Sequence, residues 1–110
     1  MEEELRERLG EKYPRLEKFL ENKKLDITKI YEIKPQERIY LVAEFCEQNN
    51  YDFPEIYSCF EAIRDKTMKE NALRSAVAAI LARDGPAAIS DLNFYKKIQE
   101  KVKELEQKVK

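Results

Sequence analysis

The stretch Asn71–Arg83, NALRSAVAAILAR, decides how the chain is read. Apolar residues run from Ala72 to Ala82 with only Arg74 and Ser75 between them. The run falls short of the ~20 apolar residues that cross a bilayer, and alanine has the strongest intrinsic helix preference. A helix that is apolar on nearly every side is normally enclosed by others. The stretch therefore predicts an all-α, single-domain bundle of five to six helices over residues 1–110. Its centre is an Ala-rich helix at about 68–83, with a long C-terminal helix at about 91–108.

Working outward, Thr67 and Glu70 have the S/T-x-x-E spacing of a capping box, and Asp84-Gly85-Pro86 is a helix stop. Upstream, Leu5 and Leu9 mark a short charged helix ending near Gly10. Pro14 opens a second, with Leu16, Phe19 and Leu20 on one face. Asp26 is a candidate N-cap for residues 27–33, ITKIYEI, whose alternation also suits a strand; with no second strand candidate, a short helix is expected. Pro35 starts a well-buried helix to about Gln48, carrying Ile39, Val42, Phe45 and Cys46, and Asn49-Asn50 ends it. Asp52, with Glu55 three residues on, caps the next helix, which runs to about Lys66 with Ile56, Phe60 and Ile63 inward. Ser90 or Asp91 caps the last.

Composition narrows the function. The 21 basic and 22 acidic residues nearly cancel, so bulk charge does not favour nucleic acid or an anionic membrane. Residues 26–66 hold nine acids and five bases, residues 67–110 nine bases and six acids, a mild asymmetry. Two glycines and four prolines are too few for a turn-rich β fold. Abundant Glu and Lys suit exposed helices and would fit a thermophilic source. The N-terminus lacks the basic and apolar regions of a signal peptide, so a cytoplasmic protein with no membrane contact is expected. Cys46 and Cys59 are expected as buried thiols, with a disulfide between neighbouring helices as the alternative.

With no histidine in the chain, the Ser-His-Asp, Cys-His and helical metal patterns all fail. Glycines at 10 and 85 alone cannot build a phosphate loop. The carboxylate pairs Glu44/Glu47 and Asp52/Glu55 are no more than chance among 22 acids. The expectation is a non-enzyme without cofactor or metal, acting as a protein–protein interaction module: a small subunit or adaptor of a larger assembly, or a homodimer. Tyr95, Ile98, Val102, Leu105 and Val109 alternate three and four residues apart, the spacing of a coiled-coil seam, and are the candidate interface. Tyr40, Tyr57 and Phe94 lie off the main faces as candidate aromatic anchors. The alternative is a nucleic-acid-binding face assembled from Lys23, Lys24, Arg74, Arg83, Lys96, Lys97, Lys101 and Lys103.

Overall fold

The computed structural model describes residues 2–108, and among them every regular element is helical. Helix α1 (Glu2–Leu5) runs into a π-helical turn (Arg6–Gly10). After it come α2 (Arg15–Asn22), a 3-10 turn (Ile27–Tyr31), α3 (Pro35–Asn49) and α4 (Phe53–Arg64). Helix α5 (Glu70–Asp84), a second 3-10 turn (Pro86–Ser90) and α6 (Phe94–Lys108) complete the order. The bundle of helices is the architecture expected.

Local chemistry sets most boundaries. The Asp26 carboxylate accepts the Thr28 N–H at 3.1 Å, which starts residues 27–31 as a helical turn rather than a strand. Asp52 accepts the Glu55 N–H at 3.2 Å in the same way. Pro35 and Pro54 stand in first turns, where an amide proton would have no intrahelical partner. Helix α3 ends on Asn50 in the left-handed conformation, φ 57°.

Helix α5 ends on Gly85, with φ 81° and ψ 175°, a region that only glycine occupies without strain. A Cβ there would meet nothing within 4 Å, so the cost of adding one is purely conformational. Gly85→Ala is expected to lower stability by ~1–3 kcal/mol in urea unfolding. At Gly10, which lacks a positive φ, an added Cβ meets only ordinary contacts, the nearest at 3.5 Å. Gly10→Ala should therefore be neutral or better.

Two helix starts differ from expectation, each because an aspartate reaches the backbone first. The Thr67–Glu70 capping box does not form. Thr67 donates to Asp65 through its N–H at 3.0 Å and its hydroxyl at 2.6 Å, an Asx-type turn. Glu70 pairs instead with Arg8, and α5 begins after Lys69 without a side-chain cap. Asp91 likewise accepts the Asn93 N–H at 2.8 Å, so residues 92–93 form a turn and α6 begins at Phe94. Helix α4 also stops at Arg64, two residues earlier than expected.

The larger correction concerns the centre of the bundle. Helix α4 occupies it: every residue from Ile56 to Ile63 is buried. Helix α5 instead buries one stripe, Leu73, Ala76, Val77 and Ile80, at the i, i+3, i+4, i+7 spacing of an ordinary amphipathic helix. Arg74, Ser75, Ala78, Ala79 and Ala82 face solvent. Burial returns roughly 25 cal/mol per Å² of apolar surface, so an alanine gains little inside and loses little outside. Ile56, Tyr57, Phe60 and Ile63 carry far more apolar area and take the interior.

Around α4 pack α5, α3, α1 and the π turn, while α6 lies on α5 and α3. The radius of gyration, 13.5 Å, matches the ~13 Å of a folded domain of this length. Helix α6 thus lies along the body.

Candidate functional site

The buried length of α4 contains a charge. Glu61 is wholly inaccessible; one carboxylate oxygen accepts Arg38 Nε and the other Arg64 Nε, each at 2.8 Å. Arg38, itself buried, donates through Nη1 to the Ile33 carbonyl at 2.7 Å. Arg64 donates through Nη2 to the Tyr95 hydroxyl at 2.7 Å. The Tyr31 ring lies 6.0 Å from the Arg38 guanidinium, and its hydroxyl donates to the Phe60 carbonyl at 2.8 Å. One carboxylate therefore joins α3, α4, α6 and residues 31–33.

Tyr57 stands beside this cluster with its hydroxyl buried and without a hydrogen-bond partner among the described residues; burial, and then the nearby Glu61, push its ionisation well above the usual tyrosine range. Both Glu61 oxygens are committed to guanidinium groups, so the cluster positions helices and presents no base to a substrate. Sequence reasoning missed it. The legible signal was Glu61 alone, the one charge inside the apolar run IYSCFEAI at 56–63, which a fully buried helix must pair.

Cys46 and Cys59 are buried and unbridged, the first of the two expected states. Burial raises their thiols from 9.0 to about 12 and about 11, so little reactive thiolate exists at neutral pH. The unfolded chain releases these protons first. The stability they contribute is complete below pH 9 and is lost as pH rises through 11 and 12. Unfolding free energy should accordingly fall between pH 9 and 11 in urea titrations; a flat profile would contradict the burial of both thiols. Among the described residues no three His, Cys, Asp or Glu side chains are grouped to hold a metal. None of their helices is long and apolar enough to cross a membrane.

The expected C-terminal seam is turned inward. Ile98 and Val102 are buried in the chain's own core, Leu105 packs half-buried against it, and Tyr95 is held by Arg64. Val109 lies outside the described residues. A helix flanked by a body with an apolar groove covers its stripe locally before any second chain can. Ile98→Ala should therefore cost ~2–5 kcal/mol of monomer stability, measured by urea unfolding, without an accompanying change of mass in light scattering. Of the three candidate aromatic anchors only Tyr40 is exposed; Tyr57 and Phe94 are core residues, because both belong to faces wider than the stripe spacing implied.

The basic candidates do not assemble into one face. Lys23, on the turn after α2, pairs with Glu44 at 2.9 Å; Lys24 follows it with φ 61° beside Glu17, Glu21 and Asp26. Arg83, Lys97 and Lys101 line a cleft between α5 and α6. Lys96 and Lys103 line a different one, with Thr67 and Met68. Arg83 is bound by Asp84 at 2.8 Å, Lys97 by Asp91 at 2.7 Å and Lys101 by Glu104 at 3.4 Å. Arg74, on the outward side of α5, donates to Asn71 at 2.7 Å and has no carboxylate within ion-pair distance among the described residues.

That outward side is the candidate surface. Asn71, Ser75, Ala78 and Ala82 follow one another at four-, three- and four-residue steps, with Ala79 alongside, and all are exposed. They form an uncharged strip bordered by Arg74 and Arg83, on a chain of which 39% is charged. Small side chains let a second helix approach toward the short end of the usual 8–10 Å interaxial range, and alanine loses no rotamer freedom on being covered. No family model, curated protein or solved structure matches the chain.

Proposed function

We propose that the chain is a non-enzymatic protein–protein interaction module, a small helical subunit or adaptor of a larger assembly, which receives a partner helix on the outward side of α5. The observation that carries this reading is the exposed strip Ser75, Ala78, Ala79 and Ala82. Most of the chain's exposed residues are charged; here a helix presents more than two turns without charge, next to Arg74, whose field reaches Glu55 but which has no carboxylate within ion-pair distance among the described residues. Arg74 is the cation a partner's carboxylate would meet.

The nucleic-acid reading draws on Arg83, Lys97 and Lys101 lining one cleft. It is weaker because Glu100 and Glu104 line the same cleft, and a phosphate would have to displace carboxylates already in place.

Recovery of the tagged full chain from its native cells, with and without nuclease, separates the two. Wild type should retain a protein partner under both conditions, and Ala79→Glu, folded by circular dichroism, should lose it. Undiminished retention by Ala79→Glu, or retention abolished by nuclease, would overturn the proposal.

A further inference from the structure

We draw no further inference here: the strongest candidate, the cleft between α5 and α6 where Arg83, Lys97 and Lys101 converge beside Ile80, is lined also by Glu100 and Glu104 and has its cations already held by Asp84, Asp91 and Glu104, so nothing in the structure shows what would occupy it.

Discussion

Glu61→Gln is expected to lower the unfolding free energy by ~3–5 kcal/mol, the usual cost of removing one member of a buried ion pair. Arg38, 3% exposed, would keep its charge and lose its counter-ion, with no water to replace it. Against the ~5–15 kcal/mol that holds a typical domain together, such a loss brings the fold near its limit. Arg64 is 29% exposed on its side chain, so Arg64→Leu should cost less than Glu61→Gln, since water can reach the vacated region. The triple replacement Arg38→Met, Glu61→Leu and Arg64→Leu removes the charges together and should recover much of the loss, or exceed wild type. Urea unfolding followed by circular dichroism gives all three values. A Glu61→Gln protein as stable as wild type would mean that the carboxylate does not hold α3, α4 and α6 together.

Phe60→Ala should cost ~3–5 kcal/mol, whereas Ala79→Gln should stay within ~0.5 kcal/mol of wild type. Phe60 is 1% exposed in the middle of α4, where truncation leaves a cavity walled by neighbours on every side. Ala79 points away from the body, where a longer polar side chain enters water. If α5 were the buried post, the ranking would tighten or reverse, because glutamine at an enclosed alanine both overpacks and strands an amide. The two variants measured in one urea series decide which helix is inside.

Segmentation was largely legible because it depends on residues that act on their own neighbours. Asp26 and Asp52 reach an amide two or three positions ahead, Asn50 and Gly85 accept left-handed φ, and Pro35 and Pro54 stand in first turns. These signals fail only in competition. Thr67 is a sound cap in isolation, but Asp65 reaches its N–H and hydroxyl first. Depth was less legible, since periodicity weighs alanine and tyrosine alike, while burial follows area. NALRSAVAAILAR looks the more apolar stretch, yet IYSCFEAI fills the interior with two large aromatic rings and two isoleucines.

The candidate site shows the same division. Arg74 and Ser75, the two polar interruptions of the apolar run, lie on the exposed side of α5 where the strip is. The Tyr95–Leu105 stripe was equally regular but turned toward its own chain, a choice made by the neighbouring groove and not by the stripe. The Arg38–Glu61–Arg64 cluster spans residues 23 apart between Arg38 and Glu61, and no local spacing announces a pairing at that distance.

The α5 surface can be tested with a single thiol. Cys46 and Cys59 are buried with raised thiols and should stay unlabelled by a maleimide at neutral pH, leaving an introduced Ala79→Cys as the one reactive group. Labelling of Ala79→Cys should be as fast in the isolated folded chain as in urea, and should slow sharply in the assembly recovered from its native cells. Protection in the isolated chain, or undiminished labelling within the assembly, would contradict the account.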